Sequence, residues 1–182
     1  MCKPNLDMTA LFEKFKKNIL SYLLMLEDEF CEVNILINEL KSYKPFHLDV
    51  RNATATQNAL NIAVVISYAR NFKRSFGFYY IDEINNQLIN DFTKNERKLH
   101  NKILTDRDKE FAHSDASAND IQIYDKGLYT SSRRTVRQLL EKEKIKILQE
   151  MVNKIRNEIT NQIKYLKQYP RNHITAQKSK KI

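Results

Sequence analysis

Apolar residues recur at steps of three and four along most of the chain, which is the spacing of one face of an α-helix. The first such stretch predicts a single long helix from Met8 to about Lys41, with Asp7 or Thr9 as its N-cap. Its apolar face comprises Phe12, Phe15, Ile19, Leu23, Leu26, Phe30, Val33, Ile37 and Leu40. Residues 42–54 should form a connection, because Pro45 disfavours helix at the residue before it.

A second helix is predicted from about Thr56 to Phe76, with Gly77 placed to end it. Small side chains on this helix would let a neighbouring helix approach closely. The side chains expected to face inward are those of Ala59, Ile62, Ala63, Ile66, and Ala69 or Arg70.

The third helix is predicted to begin either near Asp82 or at Thr93. The segment Thr93-Lys94-Asn95-Glu96 has the capping-box spacing, in which a hydroxyl and a carboxylate satisfy free backbone amides at a helix start. One helix bent near Thr93 is equally compatible with the pattern, because a single apolar face continues across this point. That face consists of Leu88, Phe92, Leu99 and Ile103.

The last third of the chain is predicted to contain a loop and a helix. Residues 114–132 are polar, and Tyr124-Asp125-Lys126-Gly127 indicates a turn that short extended pieces could flank. The last helix should run from about Arg134 to Lys167 and end at Tyr169-Pro170. Its apolar stripe comprises Val136, Leu140, Ile145, Leu148, Val152, Ile155, Ile159, Ile163 and Leu166.

Amphipathic helices with one apolar face each bury those faces most simply against one another. The pattern therefore predicts an all-α fold, an antiparallel up-and-down bundle of four to five helices. Residues 1–169 would form one helical domain, and residues 170–182 a basic disordered tail. A length of 182 residues suits a single domain with its own core, and two glycines and three prolines leave few tight turns.

The cysteines and the apolar runs bear on the location of the protein. Cys2 and Cys31 are the two cysteines, and the first residues lack the apolar stretch of a secretory signal. We therefore expect a cytoplasmic protein with reduced thiols. The longest apolar runs, 22–26 and 62–66, are far shorter than the roughly 20 residues that cross a bilayer, so no membrane span is expected.

Several classes of site need residues that this chain lacks. With glycine at positions 77 and 127 alone, neither a phosphate-binding P-loop nor a dinucleotide fingerprint can be written. The sequence contains no Cys-x-x-Cys or His-Glu-x-x-His motif and no pair of Glu-x-x-His motifs, since Glu110 with His113 is the single instance, so neither a zinc site nor a di-iron bundle site is expected. We expect neither a cofactor nor a bound metal.

The net charge of +9 is unevenly distributed. Residues 133–167 contain ten Lys or Arg and four Glu. This excess of positive charge favours the binding of polyanions such as RNA, although a helix face exposed to solvent is the simpler explanation. In the aromatic and basic segment 69–80, Arg70, Lys73 and Arg74 are candidate RNA contacts. The helical spacing of the aromatic residues there also suits a core.

Residues 107–115, Arg-Asp-Lys-Glu-Phe-Ala-His-Ser-Asp, close the third helix and combine a fixed cation with a titratable imidazole. At about 100° per residue, Arg107 and His113 lie about 120° apart around an ideal helix. They can converge only if the helix ends near His113 or a partner chain supplies the second copy. Spacing alone favours a charged helix end.

An Arg, a polar residue, a few more positions and then a His near the end of a helix resemble the signature of HEPN domains. Arg107-Asp108-Lys109 followed by Ala112-His113-Ser114-Asp115 resembles most closely the abortive-infection type of HEPN protein. The motif covers seven residues. Its place ahead of a loop and a last long helix fits the family over roughly residues 8–168, without a residue-by-residue match in the other helices.

The resemblance implies a HEPN-like bundle that pairs into a homodimer, with two Arg and His sets in one cleft, and in active members a metal-independent RNA endonuclease. His113 would act as general base or acid at the ribose 2′-hydroxyl or the leaving oxygen. Arg107 would hold the scissile phosphate and stabilise transition-state charge, and Asp108 would orient either residue. Lys109 and Ser114 are candidate RNA contacts.

The family also suggests a biological setting and leaves alternatives. The protein could be the toxic effector of a phage-defence or toxin–antitoxin system, with an antitoxin or other protein as partner. It could instead be a non-catalytic helical module that binds RNA, a nucleotide or a partner protein, or a structural dimer joined through its first and last helices. His100, one heptad before Arg107, could assist catalysis or be an ordinary core or surface histidine. A homodimer is expected in each case.

Overall fold

The computed structural model describes residues 8–49, 52–72, 81–108, 122–125, 130–133 and 139–168. The helices are α1 (Met8–Ser42), α2 (Ala55–Arg70), α3 (Ile81–Leu88), α4 (Lys94–Asp106) and α5 (Lys142–Gln168), and the strands are β1 (Gln122–Asp125) and β2 (Thr130–Arg133). The predicted all-α bundle is confirmed. The two strands pair antiparallel, Gln122 opposite Arg133, and so provide the short extended pieces expected around the predicted turn.

Helices α1 and α5 form the largest part of the core. The predicted apolar stripe of α1 is fully buried from Leu23 to Leu40, whereas Phe15 and Ile19 are half-buried and the side chain of Phe12 lies outside the described residues. Each fully buried side chain of this size contributes about 1.5–3 kcal/mol. The facing stripe of α5 buries Ile145, Leu148, Met151, Val152, Ile155 and Ile159.

The helices occupy the corners of a four-sided bundle. Helix α1 packs on α2 and α5, and α4 packs on the same two helices, so α1 and α4 lie diagonally opposite each other. Helix α3 packs on α5. Contacts of Arg156 with Glu27 and of Gln149 with Asn38 show that α1 and α5 run antiparallel.

Helix α2 starts as predicted but differs in its end and its inward face. It ends at Arg70, before the predicted Phe76, and Gly77 lies outside the described residues. Ala59 and Arg70 are exposed, and Ile62, Ala63 and Ile66 are only half-buried. The prediction is right for Ala69, and the other buried side chains are those of Gln57, Asn61, Val64, Val65, Ser67 and Tyr68.

Two buried amides explain the face that α2 turns inward. The side chain of Gln57 accepts a hydrogen bond from the backbone N–H of His47 at 3.0 Å and donates one to its carbonyl at 2.5 Å. The side-chain oxygen of Asn61 accepts from the backbone N–H of Leu140 at 2.9 Å. Because buried backbone groups are costly to leave unpaired, these bonds favour the rotation of α2 that buries its polar residues.

The region predicted to hold the third helix contains two helices separated by residues 89–93. Thr93 forms the predicted capping box, since its hydroxyl accepts from the amide of Glu96 and the Glu96 carboxylate accepts from the amide of Thr93. A start at Thr93 is therefore confirmed for α4. The shared apolar face is also confirmed, with Leu88, Phe92, Leu99 and Ile103 all buried.

Helix α5 begins at Lys142, eight residues later than the predicted start near Arg134. Leu139 and Leu140 are buried but not helical, and Val136 lies outside the described residues. The amide of Leu140 is bound by Asn61, which provides a reason for the late start. Among the described helices, none has both the length and the apolar character that crossing a bilayer requires.

Candidate functional site at the end of helix α4

Contacts along the whole of α4 fix the position of its C-terminal end. The capping box fixes its first turn, and Leu99 and Ile103 anchor it in the core. Arg107 directly follows the helix with helical backbone angles, and its amide donates to the carbonyls of Ile103 and Leu104. The last turn of a helix carries partial negative charge, which favours a cation such as Arg107. The capping box, the core contacts and the backbone hydrogen bonds together hold Arg107 in a fixed position.

The guanidinium of Arg107 is only partly committed to other groups. Its Nη1 donates to the Asp108 carboxylate at 2.9 Å, and the side chain is 27% exposed. Its Nε is shielded from solvent, and no group in the described part of the chain accepts a hydrogen bond from it. An arginine in this state has donors left for an anion such as phosphate.

Asp108 limits what Arg107 can bind. Its side chain is 40% exposed and already neutralises part of the arginine charge. An incoming phosphate would have to share the guanidinium with this carboxylate or displace it. Asp108 thus lies where it can orient Arg107, as the resemblance implies, while it also competes with an anionic ligand.

The remaining residues of the predicted site divide into two groups. His113, Lys109, Ser114, Lys73 and Arg74 lie outside the described residues. Arg70 is described, and it forms ion pairs with Glu29 and, at 2.8 Å, with Glu32. Because Arg70 points toward α1, which α4 does not contact, the structure does not bring it to Arg107. Its role as an RNA contact stays a prediction.

His100 belongs to the core, one of the roles that the sequence left open. It is 5% exposed, and its Nδ1 is hydrogen bonded to the Tyr68 hydroxyl at 2.9 Å. Burial, with a smaller effect of the nearby Arg97 charge, lowers the pKa of His100 to about 4. Two helical turns, about 10 Å, separate it from Arg107 along the axis.

An aromatic cluster surrounds His100 and was not anticipated from the sequence. The imidazole contacts the rings of Tyr68, Phe72 and Phe92 edge-to-face at centroid distances of 5.9, 4.6 and 6.0 Å. Phe30 of α1 completes the cluster through Tyr68 and Phe72. The helical spacing of Tyr68 and Phe72 indicates that the two rings share one face, whereas their contact with His100 depends on the packing of α2 on α4.

Within the described ranges, no group of three or more His, Cys, Asp or Glu side chains could hold a metal ion. No protein-family model, curated protein or solved structure matches the chain. The resemblance to HEPN domains therefore rests on the motif that begins at Arg107.

Proposed function

We propose that the chain is a metal-independent RNA endonuclease of HEPN type. The supporting observation is the state of Arg107: a rigidly placed, partly exposed guanidinium at the exit of α4, with a donor that no described residue uses. The motif places His113 six residues further along the chain. A fixed cation beside an imidazole can cleave RNA by using the ribose 2′-hydroxyl as nucleophile.

The proposed reaction transfers one phosphoryl group within the RNA. The His113 imidazole removes the proton of the 2′-hydroxyl, the 2′-oxygen bonds to phosphorus, and the bond to the 5′-oxygen breaks. The 5′-oxygen leaves with a proton from a second imidazole, which a paired copy of the chain would supply. Arg107 donates to the phosphate oxygens as their negative charge increases. The products are a 2′,3′-cyclic phosphate and a 5′-hydroxyl.

Unregulated RNA cleavage is toxic to the cell that makes the enzyme. We therefore place the proposed activity in a phage-defence or toxin–antitoxin setting, where a partner protein restrains it. Lys109 and Ser114, adjacent in sequence to the catalytic positions, are the proposed additional RNA contacts.

The test is incubation of the protein with a mixed RNA pool in EDTA, followed by analysis of fragment ends. We expect cyclic or 3′-phosphate ends from the parent and no cleavage by His113→Ala. His47→Ala is the matched control, because His47 lies in the α1–α2 connection and should not affect cleavage. Cleavage of DNA at the same rate, or a strict magnesium requirement, would contradict the mechanism. RNA that is bound but uncut would favour the non-catalytic module.

A further inference from the structure

We infer that Asn61 of α2 and Arg107 together bind one phosphate group, so that two helices contribute to the candidate site. Nδ2 of Asn61 and Nε of Arg107 are both shielded from solvent, and no described residue accepts a hydrogen bond from either. Asn61 is 1% exposed, and its Oδ1 is already used by the amide of Leu140. Buried donors are rarely left unpaired, because each one costs stability, so this pair indicates a place for a shared acceptor.

Helices α2 and α4 run antiparallel. The contacts of Gln87 with Gln162 and of Glu96 with Lys154 show that the chain through α3 and α4 runs opposite to α5. Helix α2 runs in the same direction as α5, since both are antiparallel to α1. Earlier residues of α2 therefore lie beside later residues of α4.

The register of this helix pair brings Asn61 opposite Arg107. Tyr68 and His100 are hydrogen bonded across the contact between α2 and α4, which fixes the register. Asn61 precedes Tyr68 by one heptad, and Arg107 follows His100 by one heptad. In antiparallel helices these are matching positions two turns further along the same contact. Asn61 and Arg107 therefore face each other as Tyr68 and His100 do.

The contacts with α5 lead to the same placement independently. Arg107 lies about 16 Å beyond Glu96 along α4. An equal distance back along α5 from Lys154, the partner of Glu96, reaches the first turn of α5, next to Leu140. Since Leu140 donates to Asn61, the two unpaired donors lie at the same end of the bundle and at nearly the same height.

The free donors suit an anion with several acceptor oxygens. In the planar guanidinium, Nε and Nη2 form one edge, which can bind two oxygens of a phosphate side by side. The Asp108 carboxylate binds Nη1, outside that edge, and so leaves it open. The Asn61 carboxamide adds a neutral donor from the side of the core. A phosphate at this place would receive hydrogen bonds from both helices.

The RNA backbone supplies such a phosphate, and in this choice of ligand the inference rests on the proposed function. Free inorganic phosphate carries the same group and is the other possible source. Either would enter from the solvent side of Arg107, which is 27% exposed. Because Nε itself is shielded, entry requires the Arg107 side chain to shift, a change of rotamer that is common on binding.

Asn61→Asp tests the site with a change of almost no volume. It keeps the oxygen that accepts from Leu140 and replaces the free donor by an acceptor that pairs with Arg107. We expect the fold to be retained and the affinity for a 2′-O-methyl RNA oligonucleotide to fall about tenfold or more. This probe cannot be cleaved, because its 2′-oxygen carries no proton. Fluorescence anisotropy at constant ionic strength measures the affinity.

Two further variants separate the shared site from general charge effects. Arg107→Lys keeps the positive charge but lacks Nε, and it should weaken binding about as much as Asn61→Asp. Asn101→Asp is the matched control, because it adds the same negative charge on an exposed part of α4. Its affinity should stay within about twofold of the parent, as expected for an exposed charge in salt.

Parental affinity in Asn61→Asp would overturn the inference, and so would a loss of equal size in Asn101→Asp. Circular dichroism checks the fold, and if Asn61→Asp does not fold, unchanged affinity in Arg107→Lys overturns the inference instead. Thermal unfolding with inorganic phosphate, against chloride of equal ionic strength, identifies the source of the group. Stabilisation that Asn61→Asp abolishes supports the site with the free anion as ligand. A parent that binds neither probe would overturn it.

Cleavage of ordinary RNA distinguishes this inference from the proposed function. If RNA is bound through Asn61 and Arg107 but stays intact, the site is retained and the ribonuclease proposal fails. If Asn61→Asp cleaves RNA at the parental rate, the proposal is retained and the shared phosphate site fails.

Discussion

Two basic side chains about two turns apart, His100 of α4 and Arg107 directly after it, lie in contrasting surroundings. The imidazole is buried among aromatic rings and bonded to Tyr68, whereas the guanidinium is partly exposed and keeps an unpaired donor. Burial with a partner stabilises a fold, while a shielded donor without a partner costs stability, and the exposed part of the Arg107 guanidinium stays open to a ligand. The contrast gives His100 a structural role and is consistent with the role proposed for Arg107.

The largest expected effect is at Arg107. Replacement by alanine should reduce the proposed RNA cleavage by about 10²–10³-fold, the usual cost of removing a group that stabilises transition-state charge. The free energy of unfolding should change by no more than about 0.5 kcal/mol, because the side chain has few partners. Single-turnover cleavage and urea unfolding measure the two quantities. Equal cleavage by Arg107→Ala and the parent would remove Arg107 from the mechanism.

The opposite result is expected for His100. Replacement by alanine leaves a cavity among the rings of Phe72 and Phe92 and removes the partner of the Tyr68 hydroxyl. The free energy of unfolding should fall by about 2–4 kcal/mol. The more conservative Tyr68→Phe keeps the ring and should cost about 1–2 kcal/mol. A His100→Ala protein of unchanged stability would show that the cluster does not support the fold.

The same histidine predicts a dependence of stability on pH. Its pKa is about 4 when folded and near the ordinary 6.5 when unfolded, so between these values the unfolded chain binds more protons. Stability from this group is complete above pH 6.5 and is lost as the pH falls toward 4, by about 2–3 kcal/mol.

Because other groups titrate in the same pH range, the effect of His100 is measured as the difference in stability between the parent and a variant that lacks the imidazole. Comparing the parent with His100→Gln isolates the imidazole, because the neighbouring rings of Phe72 and Phe92 have no titratable group and burial raises the pKa of Tyr68 far above this range. The stability of the parent should fall more steeply between pH 6.5 and 4 than that of the variant. Parallel curves would mean that His100 takes up its proton without unfolding.

The smallest expected effect concerns the other end of α4. Thr93→Ala removes the cap of the first turn and should cost about 1 kcal/mol. Part of this cost should disappear in acid, because burial raises the pKa of Glu96 but hydrogen bonds from Lys154 and Thr93 lower it further, and the stability from this lowering is lost once the carboxylate is protonated. Thermal unfolding at neutral pH and below the ordinary Glu pKa measures both. Lys98→Ala, an exposed change on the same helix, is the control.

The sequence predicted those elements that local pattern determines. The stripe of α1 from Leu23 to Leu40 and the capping box at Thr93 are properties of neighbouring residues, and both are confirmed. The inward face of α2 and the start of α5 depend on the bond from Leu140 to Asn61, which joins residues 79 positions apart. Periodicity carries no information about such a distant partner, so both predictions were wrong.

The candidate site was predictable to a similar extent. The sequence placed residues 107–115 at the close of the third helix, and in the structure α4 ends at Asp106 with Arg107 as its C-cap. The spare donor at Nε and the ion pair with Asp108 could not have been read from spacing, because they depend on side-chain conformation and on the packing around α4. His113 lies outside the described residues, so its part in the site stays a prediction.

The bond between Asn61 and Leu140 also closes a loop that spans 79 positions and contains α3 and α4. The entropy of closing a flexible loop grows only with the logarithm of its length, by about 0.6 kcal/mol for each doubling. Lengthening or shortening the chain between these two residues would therefore change the cost of forming the contact little. The start of α5 can thus stay fixed against α2 in variants whose intervening chain differs in length.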